Sequence, residues 1–213
     1  MLVTLLVALV SCNGLPDTYT ETTDSLMLVP DYQSVTLPVN VAPMNVLIDH
    51  EADDYSIHLH SKNGKSLIVK GKKASFPIKA WKRLLEANPG EDLHMDVYIK
   101  KGGQWIHFPT VTNHIAPEPV DPFVTYRFLP PLYTTYEAMS IDQRDLTSFD
   151  VTSLYDSRLM SSNTQFQCVN CHSFQDYNRT GNMQLHVRGD KGGTIIVQHG
   201  SHQKVNLKAE GLI

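Results

Sequence analysis

Cys168-Val169-Asn170-Cys171-His172 is the pentapeptide of this chain whose residue types and spacing point most directly to a chemistry. C-x-x-C-H is the attachment signature of a c-type haem. On a helical turn, positions i and i+3 face one side, so both thiols can reach the two vinyl groups of a porphyrin. The histidine that follows then offers a ring nitrogen to the iron. The expected cofactor is one covalent haem c, held by Cys168 and Cys171 with His172 as proximal ligand. Met183 and His186 are the candidate distal ligands. If their segment is a strand they point to opposite faces, and only one of them can ligate. Arg188 is a candidate partner for a haem propionate.

Other readings of the same cysteines stay open. A zinc site needs a second ligand pair, and only His186, His199 and His202 follow. A thioredoxin-like redox pair needs a strand before it and a long helix after it, whereas the residues after His172 (SFQDYNRTGN) are polar and turn-like. The simplest alternative is a structural disulfide beside an incidental histidine. Elsewhere, His58 and His60 share a strand face at i, i+2, a spacing open to a metal ion, and are read as solvent-facing strand residues. There is no nucleophile elbow, phosphate loop or paired-carboxylate pattern, so an electron carrier or binding protein is expected rather than an enzyme.

These residues sit in a chain of 213 residues, 41% hydrophobic, with a net charge of −4. That length supports a buried core without staples, and the mixed, slightly acidic charge argues against a nucleic-acid partner. The start, MLVTLLVALVS, is too short an apolar run to span a membrane, which takes about 20 residues, and fits the apolar region of an export signal. Leu9-Val10-Ser11-Cys12 resembles a lipobox, which makes Cys12 the expected lipidated residue, although no Lys or Arg precedes the run. The expected location is the bacterial cell envelope, lipid-anchored on the periplasmic side or the surface. The partner is then a redox or envelope protein.

The elements that would position the motif follow from periodicity. YSIHLH (55–60) alternates and is followed, after Asn63-Gly64, by KSLIVK (65–70), a hairpin pattern. FPIKAWKRLLEAN (76–88) has Ile78, Trp81, Leu84 and Leu85 at helical spacing before Pro89-Gly90. HMDVYIK and QWIHF flank Gly102-Gly103 as a second hairpin. Prolines at 117, 119, 122, 130 and 131 favour an extended connector, and 140–149 is open to a helical turn or two. The expected layout is a lipoprotein signal over 1–12, a polar tether over 13–30, a β-rich domain over 31–115, a Pro-rich connector over 116–139 and a cytochrome c-like haem segment over 140–190.

Between Pro38 and Val197 the chain resembles bacterial lipoproteins that carry a C-x-x-C-H segment ahead of a TolB-like β-propeller. The resemblance rests on the order of VAPMN (41–45), Trp81-Lys82, GQW (103–105), DPFVTYRFLPPLY (121–133), IDQRDLTSF (141–149), CVNCHSF (168–174) and MQLHVRGDKGGT (183–194). It implies that Gly192–Val197 starts a propeller, of which 191–213 would be a truncated beginning, since closure takes several four-stranded blades. The expected fold class is thus mainly β: a small β-sandwich-like domain with one short helix, a short haem-binding segment, and the first strands of an incomplete propeller.

Overall fold

The computed structural model describes residues 14–130, 138–157, 168–188 and 192–205. Strands dominate and one α-helix is present among these residues, so the fold is mainly β with a short helix, as expected. No helix among the described residues is long and apolar enough to cross a membrane. Cys12 and the export segment lie outside the described residues.

The chain divides into two compact units. The first runs through Pro122 and takes in Leu146–Ser148. Its strands are β1 (Thr20–Glu21), β2 (Leu28–Val29), β3 (Thr36–Pro38), β4 (Val46–Ile48), β5 (Asp54–His60), β6 (Leu67–Lys70), β7 (Lys73–Ala74), β8 (Asp92–Lys101), β9 (Gln104–His107) and β10 (Val111–Ala116), with α1 at Ile78–Glu86. The ten-residue β8 organises the larger sheet. The whole of β5 pairs with its residues 94–100, and β5 carries β6 beyond it. Its other edge is divided, one end paired with β10 and the other with β9. A smaller sheet, β2-β4-β7, completes the sandwich-like unit.

Alternation explains the packing. Tyr55, Ile57 and Leu59 of β5 and Leu93, Met95, Val97 and Ile99 of β8 are buried in one core with Ile48, Phe76 and Ile115. The residues between them point away from it. Helix α1 adds Trp81, Leu84 and Leu85 from one face. Its end is held by Asn88, whose Nδ2 donates to the Leu84 carbonyl (2.7 Å) and to the Asn63 carbonyl (2.8 Å). One buried amide thus closes the helix and secures the β5–β6 loop. The β8–β9 hairpin turns on Gly102 and Gly103 at φ 56° and 86°, the left-handed pair that a two-residue turn of the matching twist requires.

Residues 13–30 depart from the tether expectation. β1 pairs in parallel with Ile106–His107 of β9, β2 pairs with Leu47–Ile48 of β4, and Leu26 and Leu28 are buried. Each piece is two residues long, too short to show a period, and it is ordered by edges already built elsewhere in the chain.

The second unit holds Phe123–Asp145 and the chain from Phe149 onward. β11 (Phe123–Phe128), β12 (Ser140–Asp145) and β13 (Val151–Asp156) form one antiparallel sheet. β14 (Cys168–Phe174), β15 (Met183–Arg188), β16 (Gly193–Gln198) and β17 (Ser201–Val205) form a four-stranded antiparallel meander. Met139, Ile141, Tyr155, Val169, Leu185 and Val187 make up its core. Three expectations are corrected here. The 116–139 segment is not connector throughout, because Phe123–Phe128 pairs with β12 along its whole length. Residues 140–145 are strand rather than helical turn, since Ile141 is needed in the core and β12 is hydrogen-bonded on both edges. No boundary falls near 190, because β15 and β16 pair from Met183↔Val197 to Val187↔Gly193 in one sheet.

Candidate functional site

The C-x-x-C-H pentapeptide lies on β14, not on a helical turn. In a regular strand, i and i+3 fall on opposite faces. β14 is irregular at this point: Val169 is paired with Val187 and His172 with Leu185, so Asn170 and Cys171 together lie across from the single residue His186. The bulge keeps Val169 and His172 in register with the core-facing positions of β15. Cys168 is half-buried against the core and Cys171 is exposed, and both are free thiols. Cys171, His172 and His186 line one open cleft of about 250 Å³ with Ser173, Gln184, Leu185 and Thr194. The cleft brings one of the two thiols together with two imidazoles, donors of the kind a thioether-linked haem takes, while Cys168 packs against the core; the backbone carrying them is a strand.

β15 is a strand, so Met183 and His186 do face opposite ways. Met183 packs with Leu185 and Val187 against the core, and His186 Nδ1 lies 3.3 Å from Thr194 Oγ1. Arg188, the candidate propionate partner, is exposed.

A second constellation sits on the polar face of the larger sheet of the first unit. β5 presents His58 and His60, and the register places them opposite Asp96 and His94 of β8. Asp96 Oδ2 is 3.3 Å from His58 Nδ1 and 3.0 Å from His60 Nε2. The rings of the two histidines stack at 4.6 Å. The divided edge of β8 supplies the other side: as the chain passes from β9 to β10, Thr110 Oγ1 donates to Asp96 Oδ1 (2.7 Å) and His107 Nε2 stands 3.5 Å from the same oxygen. His107 Nδ1 meets Glu21 Oε2 of β1 at 2.8 Å. Side-chain exposure is 18% for His58, 35% for His60, 13% for Asp96 and 11% for His107. The two strand histidines are therefore not simply solvent-facing. The sequence reading missed Asp96, Thr110 and His107. The available signal was the alternation His94, Asp96, Tyr98 on β8, set opposite His60, His58 and Ser56 once the pairing register is known.

The electrostatics of this cluster favour the carboxylate. Burial works to raise the Asp96 pKa, but the Thr110 hydrogen bond, the charge of His60 and the hydrogen bonds of His58 and His60 outweigh it and hold the carboxyl below its ordinary value. Tyr98, on the same face, is pushed up to about 12 by burial and then by Asp96 and its other neighbours, so its hydroxyl stays protonated. A lowered folded-state pKa stabilises the fold above the unfolded value of about 3.9, and that contribution disappears as pH falls through the folded value. Thermal melts of wild type and Asp96→Asn should accordingly differ near neutrality and converge in acid below about pH 4. A gap that stays constant down to the acid end would mean Asp96 is not held ionised by these neighbours.

The chain matches no protein-family model and no curated protein.

Proposed function

We propose that this is an exported, lipid-anchored c-type haem protein that transfers single electrons or senses redox state or a small ligand. The observation that carries the reading is the cleft at β14 and β15, where Cys171, His172 and His186 come together. Cys168 and Cys171 would hold the cofactor and His172 would be its proximal ligand; the bound haem would supply the one-electron chemistry. The protein's own contribution is to fix the imidazole. His172 is half-buried, its ring 6.3 Å from that of Phe174, on a strand paired to β15 on both sides of the bulge. Cys12 would carry the lipid that places the module at an envelope membrane, with a redox or envelope protein as its partner.

The strand backbone of the motif favours a second reading, a non-haem binding or scaffold module of the envelope in which the two cysteines form a structural disulfide. One preparation separates the two. Protein made with the c-type maturation machinery should give a pyridine haemochrome band and an added mass of one covalent haem. In that product, His172→Ala should shift the Soret band while the haem stays attached. An absent haemochrome with both cysteines oxidised decides for the second reading, and an unshifted band removes His172 as the ligand.

A further inference from the structure

We propose that His58, His60 and Asp96 form a binding site for a divalent transition-metal ion of the zinc class, independent of the haem reading and located in the other unit. One ligand atom from each residue lies within 4.8 Å of the other two. Tetrahedral coordination at zinc–ligand bonds of 2.0–2.2 Å sets ligand atoms about 3.3–3.5 Å apart, and the Asp96 oxygen already stands 3.3 Å from His58 and 3.0 Å from His60. Small side-chain rotations that widen the His60 contact and draw the two imidazole nitrogens together complete the triangle. Two imidazoles and one carboxylate are donors that zinc and its neighbours accept, and three protein ligands leave a fourth position for water or a substrate atom.

His107 supplies an independent observation. It is a buried residue, 9% exposed, whose Nε2 has no hydrogen-bond partner among the described residues. Its Nδ1 is held 2.8 Å from the Glu21 carboxylate, which turns Nε2 toward the ligand cluster. That nitrogen stands 3.5 Å from Asp96 Oδ1, without a hydrogen bond to it. Thr110 meanwhile fixes the far oxygen of Asp96 and so presents Oδ2 to the two strand histidines. Outer contacts of this kind orient the ligands of metal sites. Thr110 and His107 are thus positioning residues, while His58, His60 and Asp96 are the ligands.

The test is titration of the full-length chain with Zn²⁺ and with Co²⁺, both thiols of β14 replaced by serine so that they do not compete. One equivalent should bind. Co²⁺ should show the visible bands of a nitrogen- and oxygen-ligated ion. His58→Ala together with His60→Ala should abolish binding. Thr110→Val should weaken it ten- to a hundred-fold, as removal of an outer contact does elsewhere. His94→Ala, which removes a ring tilted against His60 at 5.3 Å but no ligand, should leave it within about twofold. Should the double variant fail to fold, His60→Ala, at the most exposed of the three ligands, carries the test with an expected loss of at least tenfold. Absence of stoichiometric binding to the parent chain overturns the proposal, and so does binding that survives the histidine replacements.

Discussion

Trp81→Ala should lower the stability of the first unit by about 3–5 kcal/mol, the range seen when a fully enclosed aromatic side chain is truncated. Trp81 has no exposed surface, and its ring packs against Phe76 at 5.7 Å between centroids. With Leu84 and Leu85 it makes up the whole buried face of α1, so its loss opens a cavity where the helix meets the sheets. Removing the indole also strands an acceptor, because Nε1–H donates to the Val41 carbonyl at 2.8 Å across forty residues of sequence. At roughly 2–4 °C per kcal/mol for a chain of this size, the melting transition should fall by around 10 °C. Ile68→Ala, on the same unit but 37% exposed, should change stability far less. Chemical denaturation of the two variants side by side checks this. A Trp81→Ala cost under about 1 kcal/mol would mean that the helix is not anchored through this ring.

The parts of the fold legible in the sequence are those whose signals are local. Trp81, Leu84 and Leu85 mark α1 within nine residues, and Gly102-Gly103 fixes the β8–β9 turn through backbone conformations that few other residues adopt. What was not legible depends on distant partners. Thr20–Glu21 is polar and says nothing by itself; it becomes a strand because β9 offers an edge more than eighty residues away. Ser140–Asp145 shows no strict alternation and is held by neighbours on both sides. The same holds for the sites. Cys168 and Cys171 were identified by type and spacing, but i, i+3 spacing suits a helical turn and a bulged strand alike, and only the β14–β15 register distinguishes them. His58 and His60 were visible as a pair, while the carboxylate that joins them belongs to another hairpin, so the cluster exists only once β5 and β8 are in register.

Packing separates the two candidate distal ligands, on the haem reading. His186→Ala should abolish the low-spin spectrum of the haem-loaded protein, and Met183→Leu should leave it almost unchanged. Met183 lies on the side of β15 that carries Leu185 and Val187 and is packed against the core, so freeing its thioether would remove apolar contacts. His186 lies across from Cys171, lines the same cleft as His172, and among the described residues is held by a 3.3 Å contact with Thr194. The cost of redirecting it is one weak hydrogen bond, about 1 kcal/mol. Two imidazole ligands would also set a lower reduction potential than the thioether–imidazole pair that Met183 would complete. Absorption spectra and redox titration of the two variants decide the matter together. Loss of the low-spin bands in Met183→Leu with their retention in His186→Ala would require the core-facing side of β15 to open on loading, and would reverse the assignment.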